Sequence, residues 1–223
     1  MKVMEVPADM PMPGCNITSK KVLTLVLVFD KKQRKVLLGY KKRGFGAHLW
    51  NGFGGKVEPG ETVKQGAARE LQEEAGLTVE DKDLVKAGLL LFVFENDPVG
   101  LETHVYKTEK YSGEPTECDE MRPQWFSFDD IPFDLMWEDD RLWFPLLFDG
   151  KDPFFGRMSL TRKPIIAEAA ENSTNVVSMS AAPFSANQPK NGPYTLHEYQ
   201  IVSSLEQGVP KAINMDGTIA SYE

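Results

Sequence analysis

Three features of the sequence predict a mixed α+β layered domain. Aliphatic runs at residues 22–29 (VLTLVLVF) and 35–40 (KVLLGY) flank a polar connector, residues 61–76 carry the spacing of an amphipathic helix, and strand-like runs recur at 87–95, 101–108 and 122–128. Half-apolar strands and a one-sided helix bury their apolar faces by packing in layers. A chain of 223 residues holds one such domain with extra chain, but not two large ones.

Residues 1–20 hold three Pro and four Met without periodicity and are expected to form a flexible arm. The first two aliphatic runs, joined through DKKQRK, read as a hairpin. In the helix at 61–76, Ala67, Ala68 and Leu71 are placed to pack on a sheet. Asn96-Asp97-Pro98-Val99-Gly100 reads as the turn between the next two strands. Asp139 or Asp140 is placed to cap a short helix in DDRLWFPLLF, with Pro145 in or near its first turn. Near residue 163 the composition shifts to Ala, Ser, Asn and Pro, and 163–192 is expected to be a disordered insertion. YTLHEYQIV then alternates again, so 193–202 reads as a returning strand and 203–223 as a tail. The folded domain is accordingly placed at 21–162.

Composition removes several functional classes. A net charge of −8 opposes broad binding to phosphate backbones, so no duplex nucleic acid is expected as partner. The longest apolar runs fall far short of the roughly 20 residues of a bilayer span, and no membrane partner is expected. Two cysteines, Cys15 and Cys118, and a start unlike a secretory signal point to reduced thiols in the cytoplasm, with nucleus and mitochondria as further sites. A monomer is expected.

The chemistry is concentrated in GKVEPGETVKQGAARELQEEAGL at 55–77, which meets G-x5-E-x7-R-E-U-x-E-E-x-G-U at every position, U being aliphatic. A random match in a chain of this length has a chance on the order of one in ten million. Glu70, Glu73 and Glu74 fall at i, i+3 and i+4 and so share one helix face, where like charges repel by a few tenths of a kcal/mol per pair. Three crowded carboxylates make little sense for stability but suit a hard cation, Mg2+, with Mn2+ able to substitute. Arg69 can orient a neighbouring carboxylate by a bidentate contact. Gly54, Gly55 and Gly60 free the backbone before the helix to bring carbonyls to a metal and amides to phosphate oxygens.

This pattern is the Nudix box, and the chain is identified by it as similar to Nudix hydrolases, which cleave nucleoside diphosphates linked to another group. Outside the box, TLVLV at 24–28, LLGYKKRGFGAHLWNGFGGKV at 37–57, ECDEMRPQWF at 117–126 and MWEDDRLWFPLL at 136–147 resemble the MutT-homologue branch of that family, animal hydrolases of oxidised purine nucleoside triphosphates. The likeness runs from about residue 22 to 160.

The resemblance implies a Nudix fold, a mixed β-sheet sandwiched between helices (α/β/α), and hydrolysis of 8-oxo-dGTP and 2-hydroxy-dATP to the monophosphate and pyrophosphate. It implies Gly54, Glu70, Glu73, Glu74 and Glu120 as the metal group, with Glu74 favoured as general base and Arg69 in support. Thr24, Lys41, Phe45, Asn51, Phe92, Trp137, Asp139 and Asp140 match the positions holding base and sugar. Phe53, Gly54, Gly55, Lys56, Leu101 and Glu138 complete the substrate set by the same resemblance. Trp137 would stack on the purine. Leu101 stands where the animal enzymes have a flexible Met, and the 163–192 segment divides the expected C-terminal strand pair. The alternatives are a Nudix hydrolase of another nucleoside diphosphate derivative, or a nucleotide-binding module without turnover.

Overall fold

The computed structural model describes residues 17–162, 194–203, 212–213 and 219–220. Its elements in chain order are β1 (Ser19–Asp30), β2 (Lys35–Lys41), β3 (Trp50–Asn51), α1 (Val63–Ala75), β4 (Val85–Phe94), β5 (Val99–Thr108), β6 (Met121–Ser127), α2 (Asp140–Phe148), β7 (Phe154–Arg162) and β8 (Tyr194–Ser203). These strands form one sheet in the order β3-β2-β1-β5-β4-β7-β8, with β6 also paired to β2. The β1–β5 and β4–β7 pairs are parallel and the others antiparallel.

Side chains alternate across β1 and divide the core in two. Leu25, Leu27 and Phe29 join Trp143, Phe144 and Leu147 of α2, while Val26 and Val28 join Ala67, Leu71 and Ala75 of α1. The sheet is thus covered by a helix on each face, the α/β/α layering that the resemblance implied. Leu27, Leu71 and Trp143 are almost wholly buried, and truncating such a side chain to Ala costs about 2–5 kcal/mol.

Several boundaries differ from the sequence reading. β1 begins at Ser19, inside the stretch taken as an arm, because parallel pairing with β5 starts at the Ser19–Val99 pair; residues 1–16 lie outside the described residues. α1 begins at Val63, two residues later than the pattern suggests, because Thr62 is its cap. Pro145 is the sixth residue of α2, near its first turn as expected. The insertion at 163–192 lies outside the described residues, but the returning strand is present: β8 pairs antiparallel with β7 from Phe154–Ser203 to Arg162–Tyr194. In the stretch read as a tail, Ala212–Ile213 and Ile219–Ala220 pair as two short antiparallel strands, too short to show a period.

Candidate active site

The geometry starts at the two ends of α1. Thr62 Oγ1 accepts the Gln65 N–H at 3.2 Å while Gln65 Oε1 accepts the Thr62 N–H at 2.8 Å, a reciprocal capping box. At the other end Gly76 takes φ 72° and returns its N–H to Gln72 O, a turn a β-carbon would strain. The helix so fixed grades its acids by depth: side-chain exposure is 6% for Glu74, 15% for Glu70 and 54% for Glu73.

The glycine loop before α1 fits these acids closely. A β-carbon at Gly55 would lie 2.5 Å from Glu70 Oε1, and one at Gly54 would lie 2.0 Å from Thr24 O. Gly54 donates its N–H to Glu74 Oε2 at 2.8 Å. Thr24 Oγ1 accepts the Gly55 N–H at 3.4 Å, and the Thr24 N–H donates to Gly55 O at 2.8 Å, holding the loop to β1.

Cations divide the acids into two groups. Arg69 donates to Glu61 through Nε and Nη2 at 3.1 and 2.8 Å, to Glu70 and Glu73 through Nη1 at 3.0 Å each, and to Lys56 O at 3.0 Å. The Glu61 contacts lead in holding the guanidinium well above its usual range. On the other side, Lys41 Nζ lies 2.6 Å from Glu120 Oε1 and 3.5 Å from Glu74 Oε1. Burial opposes the Lys41 charge, but Glu120 and Glu74 outweigh it and raise its pKa. Burial also pushes the Glu74 carboxyl up to about 7, against the Lys41 charge and the Gly54 N–H. Glu70 is raised by burial, with Arg69 opposing.

Glu120 lies immediately before β6, which begins at Met121. The Cys118 thiol accepts the N–H groups of Glu120 and Met121 at 3.4 and 3.2 Å, curling 118–121 so that Glu120 faces Lys41. The Lys42 N–H to Glu120 O bond of 2.7 Å fixes the turn. Arg43, Glu70, Glu73, Glu74, Cys118, Asp119 and Glu120 line a groove of about 330 Å3. As placed, the described residues include no group of three or more acids gathered closely enough to hold a metal ion, but the groove lining offers the donor chemistry a divalent cation takes. The carboxylates are hard oxygen donors, the Gly55 backbone gives Glu70 the room a β-carbon would take, and the Lys41 ammonium already stands between Glu74 and Glu120 as a positive charge.

A second cluster lies at the start of α2. The Phe45 and Trp137 rings stack with centroids 5.2 Å apart at 24°, and Phe45 is 58% exposed. Asp140 Oδ2 accepts the Trp137 N–H at 3.1 Å, and Asp139 Oδ2 accepts the Trp143 indole N–H at 2.9 Å. Both carboxyls are buried. Burial raises Asp139 to about 6, and burial with the neighbouring Asp139 charge raises Asp140 well above the ordinary carboxylate range. Asp139 occupies the capping position of α2, yet its side chain makes no capping bond; the acids point to the tryptophans instead.

The structure therefore brings Glu70, Glu73, Glu74, Glu120, Lys41, Gly54 and Gly55 together at one site, and Phe45, Trp137, Asp139 and Asp140 at another. Phe92 packs on the α2-side core, with Leu101 its register partner on β5. The other residues of the expected substrate set make contacts within the protein. Phe53 is fully buried in the α1-side core, paired through its backbone with Val26, so its ring faces away from Trp137. Lys41 Nζ lies beside Glu74 and Glu120. The Lys56 side chain is exposed, and its carbonyl serves Arg69. Thr24 holds the glycine loop, and Asn51 Oδ1 accepts the Gly52 N–H at 2.8 Å, a local turn bond. Glu138 Oε2 accepts the Leu196 N–H.

Sequence reasoning did not assign Glu61, Arg43, Cys118, Trp143 or Tyr194. Glu61 carried a signal, being the first acid of the box. Trp143 reads as helix core, and its polar N–H is the only hint that it needs an acceptor.

Residues 20–147, more than half of the chain, match the NUDIX domain, and the chain belongs to that family. Among curated proteins it is 51% identical over 150 residues to the zebrafish (Danio rerio) oxidized purine nucleoside triphosphate hydrolase, covering 67% of this chain and 93% of the relative. The mouse (Mus musculus) protein of the same name is 50% identical over 135 residues, covering 60% of this chain and 84% of the relative. Among solved structures, a mutator MutT protein from Bacillus halodurans aligns with a TM-score of 0.55 at 25% identity, covering 63% of this chain and 90% of that one.

Proposed function

We propose that this chain hydrolyses oxidised purine nucleoside triphosphates, 8-oxo-dGTP and 2-hydroxy-dATP, to the nucleoside monophosphate and pyrophosphate, removing mutagenic precursors from the nucleotide pool. The observation that carries this reading is the pairing of two sites. A carboxylate groove fits a cation and phosphates, and a separate aromatic and acidic cluster offers a purine a ring face and raised-pKa carboxyls. The printed names of the zebrafish and mouse relatives support the same substrate class.

In the proposed reaction a water oxygen bonds to the β-phosphorus, the bond from that phosphorus to the α–β bridging oxygen breaks, and the monophosphate departs with that oxygen. Glu74 accepts the water proton. Burial raises its carboxyl to about 7; a cation held beside it would lower that value and keep the carboxylate ionised and able to take a proton. Gly54 fixes the Glu74 carboxylate, Arg69 orients Glu70 and Glu73, and Glu120 closes the groove from the opposite side. Glu70, Glu73, Glu74 and Glu120 would hold Mg2+, or Mn2+ in its place, which when bound neutralises the triphosphate and stabilises leaving-group charge. Lys41, beside Glu74 and Glu120 at the groove, would offer its ammonium to a phosphate oxygen.

Trp137 stacks on the purine, and Asp139 with Asp140 reads its edge. A proton retained by the acid pair gives the site a donor and an acceptor together, as two differently oxidised purines require. The proposed setting is a monomer in a reducing cytoplasm, consistent with the free Cys118 and the net charge of −8; no helix among the described residues is long and apolar enough to cross a membrane. The test is a substrate panel with product analysis: turnover of 8-oxo-dGTP well above dGTP, dependent on divalent cation, is expected. A preference for a nucleotide sugar or dinucleotide would overturn the reading.

A further inference from the structure

The strand after the 163–192 segment reaches the base cluster at two points. In the β7–β8 pairing Ser159 lies opposite Glu198 but Leu160 lies opposite Leu196, so β8 carries one extra residue there. A bulge of this kind turns a backbone group out of the ladder and re-aims it. Here Leu196 N–H donates to Glu138 Oε2 at 2.8 Å. Glu138 stands between Trp137 and Asp139, so the bond tethers the base-facing loop to the sheet edge. Two residues earlier on β8, the Tyr194 ring lies 6.2 Å from Trp137 at 33°, 6.2 Å from Phe45 and 5.0 Å from Phe94. Tyr194 thus flanks the Phe45–Trp137 stack.

We propose that Glu138 and Tyr194 are positioning residues for base recognition: together they lock the 137–140 loop to β8, set the orientation of Trp137, and make β8 a working part of the purine site. This rests on the reading of Trp137 as the purine platform. The α2 side already holds the loop through Asp139 to Trp143 and Asp140 to the Trp137 N–H. Those two bonds restrain the backbone, whereas the indole plane is held by rings, and Tyr194 is the ring supplied by β8. The acidic Glu138 has a further consequence. Its carboxylate is engaged with an amide rather than presented to the ligand, so its effect on substrate passes through the loop.

The experiment compares the full chain with Glu138→Ala, Glu138→Gln, Tyr194→Ala and Tyr194→Phe, measuring kcat and KM for 8-oxo-dGTP. The Trp137 indole N–H resonance and the exchange rate of the Leu196 amide are recorded without substrate. Loss of orientation raises KM about tenfold in both Ala variants with kcat changed less than about twofold. Gln keeps an acceptor for Leu196 and Phe keeps the ring, so each recovers most of the affinity. The Leu196 amide exchanges faster in Glu138→Ala, and the Trp137 resonance moves in both Ala variants. Unchanged KM, an unmoved Trp137 resonance, or equal loss in Glu138→Gln and Glu138→Ala would overturn the proposal. If the unaltered chain fails to turn over 8-oxo-dGTP, the proposed function falls, and the two substrate-free signals still decide whether β8 sets Trp137.

Discussion

The Trp143 indole N–H donates to Asp139 Oδ2 at 2.9 Å in a wholly buried contact. The bond ties the largest side chain of α2 to one member of the acid pair, so the helix that covers the sheet also sets the orientation of the Asp139 carboxyl. Trp143 in turn stacks on Phe154 of β7 at 5.6 Å, which carries the restraint into the sheet.

Asp139→Asn and Asp140→Asn are each expected to change the ratio of kcat/KM for 8-oxo-dGTP over 2-hydroxy-dATP by at least about tenfold, or roughly 1.4 kcal/mol, the scale of a buried polar group left unpaired. Asn keeps an acceptor for Trp143 but fixes a donor where the acid pair can exchange a proton. Equal losses on both substrates would show that the pair serves only structure.

Stability should carry the mark of the same acids. Burial raises the Asp139 carboxyl above its ordinary 3.8, to about 6, so the native state binds more protons than the unfolded chain above about pH 4 and stability falls as pH rises toward neutrality. By neutral pH the cost of ionising the buried Asp139 is present, and Asp140 acts in the same direction. Asp139→Asn is expected to gain stability relative to the unaltered chain on going from pH 4 to 7. Urea unfolding at both pH values checks this, and a difference independent of pH would contradict it.

Glu74→Gln and Glu73→Gln are each expected to lower kcat by more than about a hundredfold while leaving the unfolding midpoint nearly unchanged, because each removes a contact made to the transition state. Excess EDTA should abolish turnover. Full activity in either variant would remove the carboxylate groove from the mechanism.

The box made the acidic face of α1 legible, because a helical period and a fixed spacing are local properties. The hairpin, the strands at 85–108 and the returning strand were legible for the same reason. Contacts between distant segments were not. Phe53 sits between Gly52 and Gly54 in sequence, yet its backbone pairing with Val26 carries its ring into the α1-side core. Lys41 belongs to a basic run, and only the β2–β6 register, with Lys41 opposite Met121, places it against Glu120. Tyr194 reaches Trp137 across 57 residues of sequence, through a pairing that no local pattern encodes.

The segment between β7 and β8 is expected to be dispensable for chemistry. Arg162 and Tyr194 are register partners, so the ends of the intervening chain lie at hairpin separation and a short loop can join them. Deleting Ile165 to Gln188 and bridging the ends should keep most turnover, and limited proteolysis should cut first between Lys163 and Gly192. A collapse of activity with the fold intact would mean that the segment completes the site.

Hydrolysis of 8-oxo-dGTP by water attack at the β-phosphorus leaves an isotopic signature, read by turnover in water enriched in oxygen-18 and mass analysis of both products. The label is expected to enter pyrophosphate and leave 8-oxo-dGMP unlabelled. Label in 8-oxo-dGMP, release of inorganic phosphate instead of pyrophosphate, or no turnover of 8-oxo-dGTP would contradict that chemistry.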